Sequence, residues 1–406
     1  MKVLMFGWEF PPFNTGGLGT ACYGLTKALS KQGVNITFVL PKAPKPIKSD
    51  FVDIIIAFST SFVNVKTIDS LLVPYISSRE YETMYKQRYM NLDKNFSRIY
   101  GQSLFEEVHR YARKAKEIAE NETFDLIHCH DWMTFLAGIE AKKVSRKPLV
   151  VHVHATDFDR TGGHPNQAVY DIERKGMHAA DLVIAVSNFT KNKIVKHYGI
   201  SPEKVFVVHN AVEFTGFPDN ENFKIKNHDR IVLFLGRITL QKGPDYFIDA
   251  AKRVLEREKN VKFIVAGSGD MEASMIEKAA RLGIAKHILF TGFLRGNDID
   301  RAYKMADLYV MPSVSEPFGI TPLEAMRNGT PVIISKQSGV SEVIKNCLKV
   351  DFWDIDEIAN KIIAVLKYNA LHHCLKEHGL IEIKKFSWDD SAKKCIEVYE
   401  RALNKS

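Results

Sequence analysis

Residues Asp307–Gly329 read DLYVMPSVSEPFGITPLEAMRNG, an apolar strand, a turn and the start of a helix. Thr321 fits the N-cap of that helix, Pro322 its first turn and Gly329 the position past its end. A strand that runs into a helix leaves backbone N–H groups aimed at the carboxyl edge of the sheet. In open α/β sheets that edge is where anions bind. Two carboxylates, Glu316 and Glu324, flank the turn. Thr321-x-x-Glu324 also fits a capping box, which accounts for Glu324 and leaves Glu316 unexplained. A ligand carrying both phosphate and hydroxyls accounts for the pair, with amides on the phosphate and carboxylates accepting from sugar hydroxyls.

Outward from this stretch, short β-rich runs alternate with helical patterns, which predicts parallel sheets covered by helices on both faces. In the first half, Lys2–Phe6, Val34–Leu40, Phe124–Cys129, Leu149–Val153, Asp181–Val186 and Lys204–Val208 read as strands. Leu104, Val108, Tyr111, Ala115 and Ile118 make one face of a helix over Leu104–Glu120. The polar segment Glu213–Arg230 reads as an interdomain connection. After it, Ile231–Leu235, Phe263–Ala266, His287–Phe290, Asp307–Met311 and Pro331–Ile334 restart the alternation. The expectation is an α/β chain of two Rossmann-like domains, 1–212 and 213–387, whose parallel sheets face each other across a cleft. The helical pattern Ser387–Leu403 opens on Ser387-x-x-Asp390, and a helix over about 388–406 is free to pack back on the first domain.

The 406 residues suit two domains, and 45% hydrophobic with 26% charged residues is an ordinary globular composition. The N-terminus MKVLMFGWEFPP reads as a first strand and not as a secretory signal. Five scattered cysteines argue for reduced thiols in a cytoplasm. The net charge of +8 suits anionic nucleotide ligands, or peripheral contact with an acidic membrane surface. Nucleic acid is not an expected partner, because no basic face with interleaved aromatics and no known module is found.

Three further motifs bear on chemistry. Asn14–Thr20, NTGGLGT, follows the first strand and enters a helix, where Gly16 and Gly17 let backbone approach a phosphate closely. It departs from G-x-G-x-x-G, so a dinucleotide site is a weak reading. Gly236–Gly243, GRITLQKG, carries Arg237 and Lys242 to the edge that bears Ser315–Gly329, against the alternative of two solvated loop cations. The pairs His128/His130 and His152/His154 put imidazoles on one strand face, with Asp131 and Asp157 close by. A metal-dependent hydrolase is the rival reading there. The apolar strands and the lack of further ligand spacing favour hydrogen bonding to substrate, with no metal. Tyr81, Tyr85 and Tyr89 recur every four residues and read as a helix packing face rather than a sugar platform.

Assembled, these pieces resemble the retaining glycosyltransferases of the two-domain GT-B fold, of family 4 and the glycogen-synthase kind. Glu316–Glu324 resembles their E-x7-E motif, GRITLQKG their diphosphate loop and NTGGLGT their glycine loop. HCHDW (128–132), VHATD (153–157), HNAV (209–212) and SGVSEVI (338–344) also match family positions. The resemblance implies that Glu316 faces the donor sugar and Glu324 the ribose. It implies that Arg237 and Lys242 neutralise the diphosphate, helped by amides at Gly16, Gly17, Gly319, Ile320 and Thr321. It places His154 under the transferred sugar, and His130, Asp131, Trp132 and Asp157 on the acceptor side. No cofactor and no bound divalent ion is implied. The partners are a nucleotide diphosphate sugar, UDP- or ADP-glucose first, and a carbohydrate acceptor. Asn14 stands where glucan synthases carry Lys, Glu324 is a glutamate they usually lack, and Ser338-Gly339 replaces paired glycines. The first half is thus glucan-synthase-like and the second like family 4 at large, with a small or lipid-linked acceptor as the alternative.

Overall fold

The computed structural model describes residues 1–10, 17–40, 53–55, 103–213 and 229–405. Asn14–Gly16, the tyrosine repeat at 81, 85 and 89, and most of the connection Glu213–Arg230 lie outside the described residues. The chain lays down β1 (Lys2–Phe6), α1 (Gly17–Lys31), β2 (Asn35–Val39), β3 (Asp53–Ile55) and α2 (Leu104–Asn121). It continues through β4 (Leu126–His130), α3 (Trp132–Ser145), β5 (Leu149–Val153), α4 (Asp157–Arg160), α5 (Gln167–Ala179), β6 (Leu182–Ala185), α6 (Asn188–Tyr198) and β7 (Val205–Val207). The second half holds β8 (Arg230–Leu235), α7 (Pro244–Arg257), β9 (Val261–Ala266), α8 (Glu272–Arg281), β10 (Ile288–Gly292), α9 (Asn297–Met305) and β11 (Leu308–Met311). It ends with α10 (Ile320–Arg327), β12 (Val332–Ser335), β13 (Leu348–Val350), α11 (Ile355–Lys367), α12 (Asn369–Glu382) and α13 (Trp388–Leu403).

Two parallel sheets result, in the strand orders β3-β2-β1-β4-β5-β6-β7 and β10-β9-β8-β11-β12-β13. Each order reverses direction once, between β1 and β4 and between β8 and β11. Ligands bind at such switch points, beyond the carboxyl ends of the strands. The near-continuous apolar runs are what strands covered on both faces require. Two strands escape the sequence reading, β3 and β13, each three residues long at a sheet edge.

Local chemistry explains the element ends that matter. Helix α2 starts at Ser103, whose hydroxyl accepts from the Glu106 amide at 3.3 Å, and its buried face includes Val108, Tyr111 and Ala115. Helix α10 corrects an expectation: its N-cap is Gly319, at φ 101°, and Thr321 lies inside the helix with no capping bond. The Thr321 hydroxyl instead meets the Tyr309 hydroxyl at 2.8 Å, so no capping box exists and Glu324 is released from that role.

Helix α13 packs on the first sheet's side of the molecule. A Cβ built on Gly24 of α1 would lie 2.3 Å from the Trp388 ring, so the two helices meet at glycine distance. Ser391 Oγ donates to the His209 carbonyl at 2.7 Å, and Tyr399 Oη meets His128 Nδ1 at 2.6 Å. Among the described residues, no helix is long and apolar enough to cross a membrane. All five cysteines are unpaired, and four are buried.

Candidate active site at the interdomain crevice

The loop after β8 and the loop after β11 are tied by one glutamine. Gln241 accepts from Arg237 Nη2 at 3.0 Å and donates through Nε2 to the Ser315 carbonyl at 3.0 Å. Its own carbonyl accepts from the Val314 amide at 3.0 Å. This stitching sets Lys242 Nζ 2.5 Å from Glu316 Oε2, with Ser313 Oγ donating to the same oxygen at 3.3 Å. Glu316 is only 6% exposed, so its charge is balanced by the lysine rather than by solvent. Arg237, Lys242 and Glu316 therefore lie together where the loop after β8 meets the loop after β11. Gly243 has to be glycine there: φ is 65° and a Cβ would sit 2.2 Å from the Pro312 carbonyl oxygen.

Beyond Glu316 the chain turns at Gly319 into α10, whose first residues are Ile320 and Thr321. A helix start beyond a strand's carboxyl end is a place that favours an anion. Glu324, one turn on, accepts from Tyr303 Oη at 3.1 Å, and burial raises its carboxyl above the ordinary range. It is half-buried rather than sealed.

The first domain reaches these loops through Asp159, whose Oδ1 accepts from Ser315 Oγ. His154 follows β5, and its Nε2 meets His130 Nδ1 at 2.9 Å. Burial, and then the Arg160 guanidinium, hold His154 down to about 3, so it is a neutral imidazole at physiological pH. Asp131 sits at φ 60°, a left-handed conformation for a non-glycine residue at the start of α3. One of its oxygens accepts from the amides of His154 and Ala155, at 2.7 and 3.3 Å. Burial pushes Asp131 up to about 6 against the pull of Arg160 and those amides.

The residues that the resemblance gives to the acceptor side are buried. His130, Asp131, Trp132 and Asp157 are between 0 and 6% exposed. Asp157 accepts from the Asn166 amide at 2.6 Å, Asp131 holds the His154 loop, and Trp132 lies against Phe105. These contacts are all to other residues of the first domain. The glycine loop is amended too. Gly17 begins α1 and is exposed, but the Gly19 amide already donates to buried Glu9 at 2.6 Å. Gly16 lies outside the described residues.

Sequence reasoning passed over the side chains that join the domains. Asp159 Oδ1 accepts from Ser315 Oγ at 2.6 Å, and Lys193 pairs with both. The Pro317 carbonyl accepts from Ser187 Oγ at 2.5 Å and Thr190 Oγ1 at 3.2 Å. Glu342 accepts from the first amides of α6, Asn188 at 3.0 Å and Phe189 at 2.5 Å. These are common serines, lysines and acids in separate loops, and no spacing along the chain pairs them.

The comparisons with known proteins give the family and the fold. Residues 15–215 match the family model described as Glycosyltransferase Family 4, and residues 218–380 match Glycosyl transferases group 1. An uncharacterized glycosyltransferase of Methanocaldococcus jannaschii is 31% identical, with 99% of each chain covered. A glycogen synthase of Mycobacterium tuberculosis is 24% identical over 85% of this chain and 80% of its own. Among solved structures, a sucrose-phosphate synthase from Thermosynechococcus elongatus superposes over both whole chains with a TM-score of 0.77 at 19% identity. HepE of Anabaena, solved with UDP and glucose, gives 0.69 at 18% identity over 99% of this chain and all of its own. The fold they share is GT-B.

Proposed function

This chain belongs to the family 4 and group 1 glycosyltransferases, and from that premise we propose a retaining hexosyltransferase that needs no divalent ion at the diphosphate. The donor is a nucleotide diphosphate sugar, UDP- or ADP-glucose first, and the acceptor is a carbohydrate hydroxyl, as in glycogen and starch synthesis. The observation that carries the reading is the Arg237–Gln241–Ser315 stitch, with Lys242 on Glu316 at its end. Two fixed cations, a buried carboxylate and a helix start converge on one crevice, which is what a diphosphate attached to a sugar requires. The HepE structure solved with UDP and glucose, and the glycogen synthase among the relatives, support the donor and the acceptor class.

In this reading the sugar lies over neutral His154, which accepts or donates a hydrogen bond at a hydroxyl without placing a second positive charge there. Glu316 accepts from the sugar's hydroxyls, and Glu324 from the ribose. The glycosidic C–O bond to the diphosphate breaks, and the leaving diphosphate is neutralised by Arg237, Lys242 and the amides of Gly319–Thr321. The acceptor oxygen forms the new bond on the same face and passes its proton to the departing phosphate oxygen. Donor binding replaces Lys242's hold on Glu316 with a hold on phosphate, and so frees the carboxylate for the sugar.

The second reading is transfer to a small or lipid-linked acceptor, favoured by the intact Glu324 and the +8 charge. The five unpaired cysteines support a cytoplasmic setting. A release assay with UDP- and ADP-glucose, with and without glycogen, tests the proposal. Glycogen-dependent release of one nucleotide, with the product's anomeric configuration retained by NMR, is the expected result. Release that is indifferent to glycogen but stimulated by a polyprenyl phosphate or a small polyol selects the second reading. No nucleotide release with any acceptor overturns both.

A further inference from the structure

Three imidazoles lie in the core behind the crevice, and the transfer chemistry above uses none of them directly. His128 and His130 stand on β4 and His152 on the neighbouring β5, in a register that pairs His130 with His152. Their ring centroids are 4.3 Å apart for 128–130, 5.4 Å for 128–152 and 5.3 Å for 130–152, and none of the three is more than 1% exposed. The pattern of partners is uneven. Nδ1 of His128 meets Tyr399 Oη at 2.6 Å, and Nδ1 of His130 meets His154 Nε2 at 2.9 Å. Among the described residues, Nε2 of both rings and both nitrogens of His152 have no hydrogen-bond partner. A buried polar atom without a partner is unfavourable, and apolar side chains of similar size avoid the penalty. Four such atoms on adjacent strand positions call for a ligand.

One ligand atom from each of these three rings falls within 4.8 Å of the other two. In metal centres, a ligating imidazole characteristically has its second nitrogen held by a hydrogen bond, and His128 and His130 already have theirs. Zinc–nitrogen bonds of 2.0–2.1 Å set tetrahedral ligands about 3.4 Å apart, and the rings, stacked at 30° for 128–130 and 13° for 128–152, turn about their Cβ–Cγ bonds to aim three nitrogens at one point. A second trio, Cys22, His130 and His154, shares His130. There the His130 and His154 nitrogens face each other, which makes the all-histidine trio the better site. We propose that His128 Nε2, His130 Nε2 and one nitrogen of His152 hold a single borderline transition-metal ion, zinc first. Three neutral imidazoles suit zinc, copper or nickel and not magnesium or calcium. The ion lies in the first domain, apart from the diphosphate, and fixes the ring of His130 whose other nitrogen meets His154. It acts as an anchor for the crevice wall and touches no reacting atom.

The test uses the full chain without a polyhistidine tag, stripped with chelator and titrated with Zn2+ or Co2+. About one equivalent of zinc is expected to survive gel filtration, and Co2+ is expected to give the visible bands of four-coordinate cobalt. In His152→Leu and His128→Gln the content is expected to fall below about a tenth of an equivalent. His373→Ala and His378→Ala, both exposed on α12, are expected to keep it. Should the core variants fail to fold, 15N-histidine NMR of the wild type decides, with three imidazole signals moving on zinc addition. No bound metal in the wild type, full content in a folded His152→Leu, or loss in His378→Ala overturns the site.

Discussion

Glu316 is held by one lysine and one hydroxyl, and in the proposed reaction its carboxylate meets the charge on the departing sugar. Glu316→Gln keeps the shape and the hydrogen bond from Ser313 but removes the charge. Turnover is expected to fall about 10²- to 10³-fold with donor affinity nearly unchanged, read by steady-state nucleotide release. A loss confined to KM would assign Glu316 to ground-state binding. Lys242→Ala removes the mobile cation and is expected to weaken UDP or ADP about 10- to 100-fold by calorimetry. Unchanged affinity would leave the diphosphate to Arg237 and the α10 amides alone. These charged residues were legible in the chain because each sits in a loop that follows a strand. Gln241, the stitch between them, lies inside GRITLQKG, but a neutral amide announces nothing until its two partners are in place.

At the scale of elements, α1 and α13 cross with no room for a side chain at Gly24. Gly24→Ala drives a methyl group into the Trp388 ring at 2.3 Å. Overpacking of this kind costs about 1–3 kcal/mol, and the melting temperature is expected to drop by several degrees in calorimetry. A variant as stable as the wild type would mean that α13 moves freely from α1. Helices α4, α5 and α6 meet at Glu173, which pairs with Arg160 at 2.9 Å and accepts from the Asp157 amide and Tyr198 Oη. Burial pushes Glu173 up to about 7. Its pKa is about 4.3 in the unfolded chain, so between these values the folded protein keeps a proton that the unfolded chain releases. This contribution to stability is therefore present at low pH and lost as pH rises toward 7. Glu173→Gln is expected to gain melting temperature relative to the wild type between pH 5 and 8. A difference that stays flat with pH would contradict the raised carboxyl. The start of α10 was misread from the chain for a local reason. Thr321-Pro322 has the composition of a cap, but Gly319 alone takes the required positive φ, and Tyr309 claims the threonine hydroxyl.

Across the whole molecule, three sets of polar contacts close the crevice: Asp159 with Ser315, Ser187 with Pro317, and Glu342 on the start of α6. Glu342→Ala removes the carboxylate that caps α6, worth about 1–2 kcal/mol in such places. The balance between closed and open forms is expected to shift about fivefold or more toward open, seen as a larger radius of gyration in solution scattering. An unchanged radius would show that the other two contacts suffice. Two parallel sheets, their helical layers and the loops that carry charge were all readable from residue order. Alternation and loop placement follow from local periodicity, and the carboxyl edge follows from chain direction in a parallel sheet. Register and domain contact are different, because they depend on residues far apart in the chain. Tertiary packing alone turned His130, Asp131, Trp132 and Asp157 inward, joined two H-x-H pairs into one buried cluster, and set Asp159 against Ser315, 156 positions away.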